Sequence, residues 1–172
     1  MPLTAATERD IEVVSAQLGR PARDIVAIGS RCVCGNPTVV QTKPRLAEGT
    51  PFPTVYYLTH PGATAAVSTL EATGLMAQLQ DRLAVDEAFA AAYQAAHEAY
   101  IRDRDLVATA CGLEPVDEVA GISAGGMPVR VKCLHALVGH ALAAGPGVNP
   151  VGDIALELCS WSPDRCQCEV EG

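Results

Sequence analysis

Aromatic side chains are scarce in this chain: one Trp, four Tyr and two Phe make up 4% of its 172 residues. The 49% hydrophobic content, much of it alanine, therefore points to close-packed small-residue helices rather than a bulky aromatic core. Basic residues are also few, 12 Lys and Arg against 20 Asp and Glu, for a formal charge of −8. A surface of that sign repels phosphate backbones and anionic bilayers, so neither nucleic acid nor membrane is an expected partner. No run approaches the ~20 apolar residues that span a bilayer. The opening MPLTAATERDIEVV has no basic stretch followed by an apolar one, so no secretory leader is read there. The expected location is cytoplasmic, where thiols stay reduced.

Cysteine, by contrast, is plentiful. Seven cysteines, an odd number in a reducing compartment, argue against a disulfide framework. Cys111, alone at the end of an alanine-rich stretch, reads as a small buried hydrophobe. The others cluster: RCVCG at 31–35, KCLH at 132–135 and CSWSPDRCQC at 159–168.

The pattern along the chain predicts an α+β fold, a small antiparallel sheet in the N-terminal half packed against several helices. Thr7 and Asp10 form a capping box for a first helix, which Gly19 to Pro21 ends. Runs rich in Val, Ile and Tyr at Asp24–Gly29, Thr38–Thr42 and Thr54–Thr59 read as strands joined in a meander. Helical signals follow from Gly62, with Gly74 as an interruption, and from Asp86 through the row Phe89, Tyr93, His97, Ile101. His97 reads as a packing residue with one hydrogen bond, and RDRD at 102–105 as a solvated face. Pro128 is expected to open a last helix that Gly145 stops. One domain over 1–158 is read, with a cysteine-bearing acidic tail at 159–172.

In an antiparallel meander the first and third strands end at the same edge. Cys32 and Cys34 follow the first, and His60 in YYLTHP follows the third. Within a helix from Pro128, Cys133 and His140 stand roughly 10 Å apart along the axis, and Cys133 and His135 point to opposite sides. One helix therefore supplies one ligand. The economical set is Cys32, Cys34, His60 and Cys133, with His135 replacing His60 if the helix begins later. Three thiolates and an imidazole suit zinc, or an iron–sulfur cluster with one unusual ligand. Cys159, Cys166 and Cys168 form a rival set, for a second metal or for redox-active thiols. The loop SAGGMPVRVK offers Gly125 and Gly126 for close backbone approach, and Arg130 and Lys132, with Arg31, for an anion at a helix start. Its spacing is not that of a P-loop.

The blocks RCVCGNPTVVQTKPRL, GTPFPTVYYLTHP and SAGGMPVRVKCLHALVGHALAAGPGVNPVGD together resemble domain-of-unknown-function family 501, common in actinobacteria, over about residues 25–153. The resemblance implies no established activity. It does imply a gene neighbourhood with a septum-formation initiator and an exopolyphosphatase. The expected function is a zinc-stabilised binding or accessory module with an unknown protein partner or small anion. The alternatives are a small metalloenzyme for an anionic, phosphate-type substrate and an iron–sulfur or thiol redox protein.

Overall fold

The computed structural model describes residues 3–168. A two-residue edge strand, β1 (Thr4–Ala5), leads into α1 (Glu8–Leu18). The Thr7 hydroxyl accepts the Asp10 N–H at 3.2 Å, and Asp10 Oδ2 accepts the Thr7 N–H at 2.9 Å. This is the reciprocal cap expected from the sequence. Gly19, at φ 68°, closes the helix as its left-handed terminator.

The sheet follows: β2 (Ile25–Arg31), β3 (Pro37–Thr42) and β4 (Tyr56–Leu58), in the order β1-β2-β3-β4 with every pair antiparallel. The three-strand meander is present. β1, too short to leave a hydrophobic pattern, adds an edge that the sequence did not announce. β3 is buried along its whole length because both faces of the sheet are covered. Val40 packs with Ile28 and with Val14 of α1, whereas Val39 joins Tyr56 and Leu58 in the larger core beneath the helices. Val39 and Val40, adjacent in sequence, point to opposite faces and are both buried, and Thr38, Gln41 and Thr42 are buried beside them, so the strand shows no in–out pattern.

Helices fill the rest: α2 (Pro61–Glu71), α3 (Leu75–Val85), α4 (Glu87–Ala110), α5 (Leu134–Ala144) and α6 (Pro150–Leu158). Gly74, at φ 84°, separates α2 from α3, and the Asp86 carboxylate caps α4 on the Phe89 N–H at 3.0 Å. His97 is buried with its Nδ1 2.7 Å from Ser123 Oγ, a packing role. No helix among the described residues is long and apolar enough to cross a membrane.

Three local readings are corrected. Arg104, expected on a solvated face, is 3% exposed and donates to the carbonyls of Val119 (2.8 Å) and Ile122, which pins the loop after α4. Residues 149–153, read as a turn, begin α6: the Asn149 side chain accepts the Gly152 N–H at 3.0 Å and Pro150 occupies the first turn. The last large helix does not start at Pro128. Residues 125–132 form turns in which the Arg130 and Lys132 N–H groups donate to Gly126 and Gly125 carbonyls, and α5 starts only at Leu134.

Candidate metal centre

β2 ends at Arg31, and Cys32 to Asn36 turn the chain back into β3. The Cys32 N–H donates to the Asn36 carbonyl and the Gly35 N–H to the Cys32 carbonyl, both at 2.8 Å. Gly35 sits at φ 94°, which favours glycine there. Arg31 braces this turn from outside. Its guanidinium makes a two-pronged pair with Asp10 (2.7 and 3.0 Å) and reaches Thr4 Oγ1 and the Gly35 carbonyl. The paired guanidinium holds the Asp10 carboxyl well below the usual carboxylate range. Arg31 is therefore committed to structure, and the expectation that it serves an anion is not met by this geometry.

Beyond α6 the chain returns to the same turn. Trp161 is 2% exposed and packs on His60, ring centroids 5.3 Å apart. The Pro163 carbonyl accepts the Val33 N–H at 2.8 Å. The segment 159–168, read from the sequence as a tail, is thus seated on the β2–β3 turn at one end of the sheet; residues 169–172 lie outside the described residues. This path brings Cys166 and Cys168 to Cys32 and Cys34, with the four sulfurs within 4.8 Å of one another. Cys34 Sγ is 3.5 Å from Cys168 Sγ. Sulfurs about 2.3 Å from a tetrahedral ion stand roughly 3.8 Å apart, so this arrangement could hold a metal ion with little adjustment. Burial pushes the Cys32 thiol up. Partial burial acts on Cys34 too, but the Asn36 N–H and the neighbouring thiols outweigh it and bring Cys34 down to about 7. Burial and Cys34 together push Cys168 up to about 12. Close thiols thus share one negative charge easily and resist a second, which a cation would relieve.

His60 reaches the expected edge but has another task. Its Nδ1 accepts the Gly62 and Ala63 N–H groups at 3.1 and 3.3 Å, capping α2. Burial holds its pKa below the ordinary value, so the ring is neutral and its single proton lies on Nε2. Nε2 is 3.2 Å from Cys168 Sγ and donates to it. A ring whose Nδ1 is spent on a helix start and whose Nε2 is protonated has no free lone pair to offer an ion and steadies the Cys168 sulfur instead. Gly62 makes room for this: a Cβ there would lie 3.0 Å from the His60 ring and 3.3 Å from Trp161.

Cys133 does not join Cys32 and Cys34. It is the residue before α5, in an extended conformation (φ −144°, ψ 105°), and it stands in a second group with His135 and Glu71 of α2. The opposite-sides argument fails because Cys133 precedes the helix instead of lying within it. His135 Nδ1 is 3.1 Å from Glu71 Oε1, and its Nε2 is 3.1 Å from the Thr64 carbonyl oxygen. Cys133 and then Glu71 push the His135 pKa up to about 9, against the opposing effect of burial, and His135 draws the Cys133 thiol down.

The loop residues Gly125 and Gly126 are explained by packing. Both have positive φ, and a Cβ on Gly125 would lie 2.6 Å from Leu137. Arg130 and Lys132 are exposed, and the N–H of Leu134 at the helix start, expected for an anion, is taken by Glu71 Oε1 at 2.8 Å. A cleft of about 350 Å³ opens at the far ends of β2 and β3, bordered by Arg20, Arg23, Ile25 and Phe52; neither cysteine group lines it.

The sequence sets Cys166 and Cys168 apart with Cys159 as a rival group and does not bring them to Cys32 and Cys34, and it does not single out Glu71. The repeat of C-x-C at 32–34 and 166–168 was the one signal for the first pair. Fold and site define a small α+β protein in which two cysteines of the segment after α6 meet two of the β2–β3 turn. The chain belongs to the family described as "Protein of unknown function (DUF501)", whose model matches residues 28–157. That span contains Cys32, Cys34, Cys133 and His135 and ends before Cys166. No curated protein matches the chain, and no solved structure does.

Proposed function

We propose that the chain is a zinc-stabilised binding module in which one ion, held by Cys32, Cys34, Cys166 and Cys168, clamps the C-terminal segment to the β2–β3 turn. The observation that carries this reading is the convergence of two C-x-C pairs, 134 residues apart between Cys34 and Cys168, on one point. Four thiolates complete the tetrahedral shell of zinc and leave no position for substrate, which is the character of a structural site. The ion would neutralise the crowded thiolates and contribute folding energy, and no reaction is required of it. The gene neighbourhood implied by the family resemblance makes a role beside cell division or polyphosphate metabolism the natural extension, with a protein partner.

Metal analysis tests the reading. Protein purified without oxygen is expected to carry one more zinc per chain than the Cys166→Ser, Cys168→Ser double variant. Equal metal content in the two would refute the clamp. Iron with a visible absorption band would replace zinc by a cluster.

His60 supplies a second test. His60→Asn keeps an acceptor for the start of α2 but loses the N–H to Cys168. Partners of this kind are worth about 10–100-fold in metal affinity. Competition against a chelator should show a loss in that range with helix content unchanged by circular dichroism; an unchanged affinity would mean that the N–H does not act on the sulfur.

A further inference from the structure

The second group lies where α5 begins against α2. Glu71, Cys133 and His135 bring three kinds of metal-binding atom within 4.8 Å of one another. Two N or O donors at about 2.0–2.1 Å from a tetrahedral ion stand roughly 3.3–3.4 Å apart. His135 Nδ1 and Glu71 Oε1, at 3.1 Å, are near that separation; without an ion they share a proton, which a cation would displace.

The surroundings of each donor matter as much as the spacing. The Thr64 carbonyl, which can only accept, faces His135 Nε2 at 3.1 Å, with Ser68 Oγ also at 3.1 Å. The proton on Nε2 is thereby fixed, and Nδ1 is the ring atom turned toward Glu71. A metal-binding imidazole is commonly held in this way, its far N–H on a backbone carbonyl. Glu71 is steadied by the Leu134 N–H on Oε1, while its Oε2 makes no hydrogen bond among the described residues. The side chains of His135 and Glu71 keep 26% and 25% of their exposure, so solvent reaches the group.

We propose that Glu71, Cys133 and His135 hold a divalent cation of the zinc class, with a fourth coordination position open to water or a small anion. Three protein ligands and an open position are the pattern of a zinc ion that activates water or polarises a bound group, in contrast to the closed four-cysteine clamp. No residue is shared with that clamp, so neither reading depends on the other.

Cobalt is the probe, because its spectrum reports both sulfur ligation and coordination geometry. The metal-free full chain is titrated with Co²⁺ beside Cys133→Ser, Glu71→Gln and the Cys166→Ser, Cys168→Ser variant. Glu71→Gln retains an oxygen for the Leu134 N–H, so it preserves the helix start. The wild type is expected to bind two equivalents and Cys133→Ser one. Glu71→Gln should bind the second at least tenfold more weakly. Azide should shift the visible bands of the wild type but not those of Cys133→Ser. If the clamp reading alone were wrong, the wild type would bind one equivalent, retained in the Cys166→Ser, Cys168→Ser variant and lost in Cys133→Ser. The inference is overturned if Cys133→Ser and Glu71→Gln bind as much Co²⁺ as the wild type, or if azide leaves the wild-type spectrum unchanged. It is also overturned if iodoacetamide alkylates Cys133 equally fast with and without Co²⁺, the behaviour of a reactive thiol that holds no metal.

Discussion

Replacing Cys166 and Cys168 together with serine is expected to expose Trp161 to water and to cost on the order of 4 kcal/mol of stability. The magnitude follows from linkage: an ion that binds the folded chain and not the unfolded one stabilises the fold by about 4 kcal/mol at a free concentration about a thousandfold above its dissociation constant. The cysteines act together with the burial of Trp161 in the main core, beside His60 and Gly62, and with the Pro163 carbonyl bond to Val33. Trp161 is the only tryptophan in the chain and 2% exposed, so its emission reports the seating directly. A red-shifted emission maximum and a lower urea midpoint are expected for the double variant, and for the wild type after chelation. An unshifted spectrum in both cases would mean that the segment holds itself without an ion.

Gly152→Ala should be nearly as damaging, for a reason unrelated to metal. Helix propensity alone favours alanine over glycine by about 1 kcal/mol. At this position a Cβ would land on the Leu137 carbonyl oxygen and lie 2.6 Å from the Ala141 side chain. Both belong to α5, whose hydrogen-bonded backbone cannot retreat, so α6 must back away and loosen Val151 and Ala155, both fully buried. Overpacking of a tight core costs typically 1–3 kcal/mol, and a collision with backbone lies at or beyond the top of that range. The clash outweighs the propensity gain, and a net loss of about 2–3 kcal/mol corresponds to a melting temperature lower by roughly 4–12 °C. A variant that melts at or above the wild-type temperature would show that the two helices are not in such close contact.

What the sequence revealed was governed by local physics. The Thr7–Asp10 cap, the break at Gly74, the Asp86 cap and the stop at Gly145 each depend on residues within one helical turn. The three strands declared themselves through apolar runs, and the meander placed His60 at the cysteine edge. The misreadings came from long-range contacts. Pro128 suits a helix start, but the structure begins α5 at Leu134, capped by a glutamate 63 residues earlier. That shift of the helix start is what moved Cys133 from the first group to the second. Likewise, nothing within the ten residues after Cys159 shows that they return to a turn near the front of the chain. Only the matching C-x-C spacing hinted at it. His60 stands beside the cysteines, but its Nδ1 is taken by the Gly62 and Ala63 N–H groups, which appear only once α2 has formed.

The clamp is tested most directly by the shell of atoms around its ion. X-ray absorption at the zinc edge on the full-length Cys133→Ser protein, which lacks the second group, isolates that shell. Four sulfurs at about 2.3 Å are predicted. A shell containing nitrogen or oxygen, or protein that carries no zinc, would contradict the account.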